Sequence, residues 1–288
     1  MNMASRTRSA VPYILLVPAF TVFVLFFILP FLTLILNSFY DYSRLAGIQK
    51  TFTLKNYRTV WLDPYYLRIV GRTLRLAAMT ALVTVLIGYP VALYLGMATA
   101  RARALIIFFV LSPLMVSVVI RTFGWLIILG PNGLVDNVMQ SFGLPSASFL
   151  HTEFAVVLGL ANVLLPFVVL SIATALQAID PAVPLAAASL GARPSRVFLS
   201  VILPLSLPGV LAGLLIVFSL ASSSFVTPAI LGGAQFRVLS TVMYQQALVL
   251  QNWPFAASIA VALVLIVLIV LTLQTRIIER GRYKAVFQ

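Results

Sequence analysis

Cysteine is absent from the 288-residue chain, histidine occurs once and acidic residues number only six. Without thiols there are no disulfides, no thiolate metal clusters and no cysteine nucleophile. The single imidazole, His151, leaves little for metal chemistry, and its HxE spacing with Glu153 reads as an ordinary loop pair. Charged side chains make up 9% of the chain, against about 25% in soluble domains. Such scarcity excludes a soluble globular enzyme, a disordered tail and a nucleic-acid-binding domain as first readings. Apolar residues, by contrast, make up 62% of the chain, which points to a polytopic membrane protein.

Six apolar stretches are long enough to cross a bilayer: Val11–Leu36, Leu76–Met97, Ala104–Gly130, Phe154–Ala178, Leu205–Leu231 and Phe255–Thr275. Lipid offers the backbone no hydrogen bonds, so each stretch is expected to close its own as a helix. None shows the alternation of a transmembrane barrel. They contain no Asp, Glu or Lys, and Arg121 is the one charge inside them. The first stretch exceeds the about 7–15 residues of a signal-peptide core and is read as a retained helix. The expectation is an all-α membrane protein with six transmembrane helices, forming a single domain over residues 1–288.

The 19 basic residues exceed the acids by 13. They lie beside the apolar stretches, which suggests orientation in a bilayer rather than a nucleic-acid partner. Arg6, Arg8, Arg101, Arg103, Arg193, Arg196, Arg276, Arg280, Arg282 and Lys284 all fall on one side, while the loop Pro131–Thr152 on the other side has no Lys or Arg. Both termini are therefore expected in the cytoplasm. The segment Asp41–Val70, with five Lys and Arg, runs against the rule, but longer translocated segments obey it less well. Within it Tyr57, Trp61, Tyr65 and Tyr66 suit either an interfacial anchor or an ordinary loop.

The loop 180–204 carries the most information. Pro184 suits a helix start, Ala186, Ala187 and Ala188 are strong helix formers, Gly191 suits a helix end, and Pro194 suits the first turn of another helix. The expectation is helix, bend, helix on the cytoplasmic face, with small residues that let a soluble partner come close. This stretch resembles the EAA loop of ABC-importer permeases, whose pattern is E-A-A, three residues, G, nine residues, I-x-L-P. Ala186, Ala187, Gly191 and Pro204 match in register, whereas Leu185 stands where the family has glutamate.

The resemblance extends over nearly the whole chain. Gly88-Tyr89-Pro90, Arg121-Thr122-Phe123-Gly124-Trp125, Leu165-Pro166-Phe167, Phe225-Val226-Thr227-Pro228 and Asn252-Trp253-Pro254-Phe255 are together similar to the spermidine/putrescine-type permease branch. It implies the type I (MetI-like) importer permease fold in a bacterial inner membrane. It also implies two copies of a separate ATPase that use ATP and Mg, a periplasmic substrate-binding protein, and a second permease chain, with a heterodimer favoured. In the family the loop docks into the ATPase, so Leu185, Ala186, Ala187, Gly191, Ala192, Arg193 and Arg196 become coupling candidates. No phosphate-binding loop is present, so the chain is expected to bind no nucleotide by that route and no cofactor of its own.

Intramembrane polar groups are costly and invite a functional reading. Candidate pathway residues are Arg121, Asn162, Phe225, Thr227, Tyr244 and Gln245. Arg121 also suits snorkelling to outer headgroups, and the others also suit packing. Two rival classes fit less well. An intramembrane enzyme needs a catalytic pair that the stretches lack, and a stand-alone channel or secondary transporter leaves the 180–204 loop without a role.

Overall fold

The computed structural model describes residues 11–145 and 148–280. Arg6, Arg8, Arg282 and Lys284, four of the cations used to orient the chain, lie outside the described residues. Among the described residues, six stretches are long and apolar enough to cross a membrane: Leu16–Ser38, Pro64–Met97, Val118–Ser141, Glu153–Gln177, Pro194–Ser223 and Trp253–Arg276.

The chain enters along α1 (Val11–Phe23), passes a π-helical turn at Val24–Ile28, and continues as α2 (Leu29–Ser38). A hairpin follows that apolar periodicity does not reveal. Strand β1 (Tyr40–Ser43) pairs antiparallel with β2 (Gly47–Phe52), and Gly47 at φ +70° takes the left-handed conformation its turn requires. Then come α3 (Lys55–Leu62) and α4 (Pro64–Met97). Asp63 caps α4, accepting from the Tyr65 N–H at 2.8 Å. At 34 residues α4 is about 51 Å long, well beyond the about 30 Å of hydrocarbon.

The aromatic segment 56–70 is helical rather than a loose loop. It is α3 and the first turns of α4, packed on the bundle. Val60 is fully buried, Tyr57 Oη meets Ser38 Oγ at 2.6 Å, and Tyr66 sits edge-on to Phe255.

The third crossing is broken. It consists of α5 (Ala100–Met115) and α6 (Val118–Leu129), separated by extended backbone at Val116 and Ser117. Pro113 has no N–H to give the Phe109 carbonyl, and the Ser112 hydroxyl donates to that carbonyl at 3.0 Å instead. A short helix α7 (Leu134–Ser141) leads to α8 (Glu153–Gln177). Beyond it lie α9 (Ala182–Ser189), α10 (Pro194–Val197), a π-helical turn Phe198–Ile202 and α11 (Leu203–Ser223). The fifth apolar stretch thus stops as a helix at Ser223 rather than Leu231. Extended backbone at Ser224 is followed by a π-helical segment Pro228–Gly232, α12 (Leu239–Tyr244), a further π turn Gln245–Val249, and α13 (Trp253–Arg280).

The core lies among α4, α8 and α11. Small residues set their spacing. A Cβ on Gly88 of α4 would stand 3.1 Å from Val168, and one on Gly209 of α11 would stand 2.6 Å from the Ser171 carbonyl oxygen. Gly209 and Gly213 are four residues apart on the α11 face that meets α8, the small-xxx-small arrangement that drives helix association in lipid. A second cluster joins α3, α4, α12 and α13 at the hairpin end. The first crossing stays peripheral: α2 leans on α13, and Phe26 is 78% exposed.

Candidate functional site

Two regions hold the sequence-derived candidates, one at each end of the bundle. At the end away from the hairpin, the chain leaves α8 and builds a protruding helix pair. The Asp180 carboxylate accepts from the Ala182 N–H at 2.8 Å and starts α9. α9 closes through a Schellman motif. The Gly191 N–H donates to the Ala188 carbonyl at 2.9 Å and the Ala192 N–H to the Ala187 carbonyl at 3.2 Å. Gly191 holds φ +83°, which L side chains adopt only at a cost. Arg193 is extended, and Pro194 opens α10 at its first position. The expected helix–bend–helix is thus present, with α9 starting two residues ahead of Pro184.

The small face and the charged root of this knob are open. Leu185, Ala186, Gly191, Arg193 and Arg196 are exposed, while Ala187 and Ala192 are half-buried. Leu185 and Leu190 are 66% and 89% exposed, so the tip is apolar. A cavity of about 240 Å³, lined by Gly96, Met97, Leu176, Pro184 and Ile202 among others, lies behind α9.

The knob's root is tied to the core. After α10, Phe198 packs edge-on to Tyr89 of α4, with ring centroids 5.7 Å apart. Tyr89 Oη in turn meets Ser206 Oγ of α11 at 2.8 Å. α10 runs on into α11 without a break, and the Phe198 ring and the Tyr89–Ser206 hydrogen bond fasten that helix to α4. Tyr89 and Phe198 are not among the coupling candidates above, because their contact joins segments distant in the chain.

At the hairpin end, the break after α11 gathers several polar candidates. The Ser240 hydroxyl donates to the freed Ser224 carbonyl at 2.6 Å, and the Leu239 N–H donates to Thr73 Oγ1 of α4 at 3.0 Å. Phe225 and Tyr244 stack with centroids 4.4 Å apart, and Tyr244 is 43% exposed. Gln245 accepts from Arg237 at 3.4 Å, and the same Arg237 nitrogen donates to the Tyr65 hydroxyl at 3.3 Å. Thr227 is buried against α8 and lies 3.4 Å from Thr122 of α6.

Arg121 precedes Thr122 on α6. Its Nη2 donates to the Val116 carbonyl at 2.7 Å, satisfying the acceptor that the break in the third crossing leaves open. Its Nε and Nη1 are buried without a partner among the described residues. Asn162 is half-buried on α8, and its side-chain amide has no hydrogen-bond partner among the described residues. The structure therefore brings Phe225 to Tyr244 and Thr227 to Thr122.

His151 and Glu153 have separate partners. The His151 N–H donates to the Leu231 carbonyl at 2.8 Å and its ring lies over Gly233. The Glu153 carboxylate takes both Nε, at 2.8 Å, and Nη2 of Arg75, joining α8 to α4 at the boundary of the bundle. Arg237 and the Arg75–Glu153 pair had no distinctive sequence pattern; only the tertiary arrangement gives them partners.

The chain is similar to several known proteins. The permease protein PotB of the Haemophilus influenzae spermidine/putrescine transport system is 33% identical over 213 residues, covering 73% of this chain and 74% of that one. The Escherichia coli PotB permease protein is 31% identical over 245 residues, covering 84% and 89%. A chain of the bacterial alginate ABC transporter, solved with an alginate-loaded periplasmic protein, superposes with a TM-score of 0.79 at 19% identity, covering 95% of both chains. That last likeness is one of fold. Residues 82–283 match the model of a family of permease components, and this chain belongs to that family, the binding-protein-dependent transport system inner membrane components.

Proposed function

We propose that this permease subunit forms one half of an inner-membrane pathway that imports polyamines, with α9 and α10 receiving the stroke of two cytoplasmic ATPase subunits. The family assignment makes the chain a non-catalytic component of an ATP-driven importer. The substrate class is supported by the 31–33% identity to spermidine/putrescine permeases over most of the chain. The observation that carries the coupling role is the exposed helix pair, closed at Gly191 and rooted on Tyr89 through Phe198.

The mechanism follows from these contacts. ATP and Mg bind the partner ATPases, whose closure moves the seated knob. The motion passes along the continuous α10–α11 helix into the α4–α8–α11 core, with Phe198 and Tyr89 carrying it to α4. Close-packed helices with few voids move as bodies rather than deform, so the core rocks between two arrangements. At the hairpin end the Phe225–Tyr244 pair presents an aromatic face, which attracts an ammonium group by cation–π interaction. The six apolar stretches carry no carboxylate to trap a polycation, which suits a conduit of low affinity behind a selective periplasmic binding protein.

This topology puts α9, α10 and both termini in the cytoplasm and the hairpin in the periplasm, in line with Arg101, Arg103, Arg193, Arg196 and Arg276 at one end. The test is the complete transporter in proteoliposomes with its binding protein. Spermidine-loaded binding protein is expected to stimulate ATP hydrolysis and drive spermidine uptake. Stimulation by a different solute, with none by spermidine or putrescine, overturns the substrate. External labelling of a cysteine placed at Arg193 overturns the topology.

A further inference from the structure

We infer that the outer ends of the first and sixth crossings hold one zwitterionic phospholipid, whose headgroup carries a phosphate and a primary ammonium. The headgroup occupies a polar cavity at the hairpin, and an acyl chain occupies an apolar groove between α2 and α13. The inference rests on the reading that places the hairpin end at the outer membrane surface.

The first observation is the chemistry of the cavity. It measures about 400 Å³, within the about 300–1,000 Å³ of small-molecule sites, and β1, α3, α4 and the start of α13 all contribute to it. Asp41, Arg44 and Lys55 line it. Lys55 Nζ lies 3.8 Å from Asp41 with both side chains open to water, a loose pairing of little worth. The Arg44 guanidinium has no hydrogen bond or ion pair among the described residues. Asn252 uses its Oδ1 to accept from the Phe255 N–H, which leaves its amide nitrogen free to donate. The wall is fixed, because the buried Asn56 amide donates to the Ser38 and Tyr40 carbonyls and pins β1 to α3. Two cations and a spare donor thus stand with one carboxylate. Arg44 and Lys55 suit a phosphate, and Asp41 suits an attached ammonium.

The second observation is depth. The first apolar crossing ends at Ser38 and the sixth begins at Trp253. Asp41 comes three residues after the one, and Asn252 immediately before the other. The cavity therefore sits in the headgroup layer, with Tyr42, Tyr66 and Phe255 in its lining as interfacial aromatics.

The third observation is the groove. It measures about 500 Å³ and lies between α2 and α13, lined by Leu34, Asn37, Ala247, Trp253 and Ala260 among others. The Thr33 hydroxyl in this wall is already bonded to the Pro30 carbonyl. Ala260 is seven residues beyond Trp253, about 10 Å of helical rise, so the groove stays within one leaflet of a hydrocarbon layer about 30 Å thick. Chain neighbours divide between the two spaces: Gln246, Asn252 and Phe255 line the cavity, while Ala247, Trp253 and Ala256 line the groove. A charged cavity at headgroup level beside an apolar groove at chain level fits one amphiphile. Tyr244 lines the groove and also stacks on Phe225, so the lipid touches the aromatic pair at the outer mouth.

The experiment uses the whole transporter, purified in detergent through a tag on this chain. Retained phosphatidylethanolamine is quantified by mass spectrometry. Binding-protein-stimulated ATP hydrolysis is read in nanodiscs of dioleoylphosphatidylcholine with and without dioleoylphosphatidylethanolamine. The unaltered transporter is expected to retain the ethanolamine lipid and to hydrolyse ATP several-fold faster with it. Joint Arg44→Glu and Lys55→Glu is expected to lower retention at least fivefold. Ala260→Phe fills the groove without changing a charge and is expected to do the same, with Ala247→Phe as a second filler should the first lower the melting temperature. Asp41→Asn is expected to abolish the preference for ethanolamine over choline, because a quaternary ammonium has no N–H to donate. Undiminished retention in the charge-reversed and groove-filled variants overturns the inference, as does equal activity in the two nanodiscs. Loss on charge reversal alone, with displacement by soluble glycerophosphoethanolamine, would make the ligand a free headgroup and overturn the lipid. Loss of a partner protein from the groove-filled complex, with the lipid retained, would put a protein helix in the groove and overturn it too. Failure of the topology would appear separately, as external labelling of a cysteine at Arg193.

Discussion

The Gly191 turn gives the sharpest test of coupling. Gly191 holds φ +83°, and a Cβ built there meets nothing within 4 Å. A side chain at this position therefore clashes with no neighbour, and any effect must come from the backbone. An L residue forced into the left-handed region costs about 1–2 kcal/mol, and a β-branched one tolerates it least. Asparagine visits that region readily. Gly191→Val should lower the population of the docking-competent turn by a factor of roughly 5–30, whereas Gly191→Asn should lower it little. The assay is the ratio of ATP hydrolysed to solute imported by the whole transporter in proteoliposomes. Valine is expected to raise that ratio several-fold, asparagine to leave it near that of the native residue, and alanine to fall between. Membrane insertion and yield should not change, because Gly191 is exposed and outside the core. Equal ratios for valine, asparagine and glycine would refute the claim that this turn transmits the stroke.

Other substitutions probe the core and the knob's tip. Thr73→Val removes the acceptor of the buried Leu239 N–H and should cost about 1–3 kcal/mol, seen as a lower melting temperature of the detergent-purified protein. Gly209→Ala brings a methyl to within 2.5 Å of the Ala175 Cβ and 2.6 Å of the Ser171 carbonyl, so α8 and α11 must separate. A loss of about 1–3 kcal/mol is expected, again by thermal unfolding, and unchanged stability would contradict the close approach. Leu185→Glu restores the family's residue at a tip that is apolar here. If the ATPase groove matches Leu185, the change forfeits burial of about 1.5–3 kcal/mol and weakens ATPase co-purification at least tenfold; stronger co-purification would show a polar groove.

Part of the site was legible from residue types alone. Alanines at 186–188, Gly191 and Pro194 carry local conformational preferences, and local hydrogen bonds closed the turn they implied. The two helix breaks were not legible. Apolar side chains mark depth in the bilayer, whether or not the backbone between them stays helical. At Val116 the freed carbonyl is met by Arg121, five residues on, and at Ser224 it is met by Ser240, sixteen residues on. The close approach of Gly209 and Gly213 to α8 depends on which helices touch, so the sequence reading does not single them out. The β1–β2 hairpin is short and lies outside the apolar stretches, so apolar periodicity does not mark it.

By itself the amino-acid order determined the membrane class, the number of crossings, the small-residue knob before the fifth of them and the lack of a phosphate-binding loop. Each of these follows from transfer of side chains into lipid or from the conformational preference of a few adjacent residues. Only the tertiary structure decided that α4, α8 and α11 form the core, that Phe198 and Tyr89 join the knob to it, and that Arg121 turns inward to a broken helix. Those outcomes depend on which helices touch, and within lipid, where hydrophobicity does not distinguish one apolar face from another, packing shape and a few hydrogen bonds between distant residues make that choice.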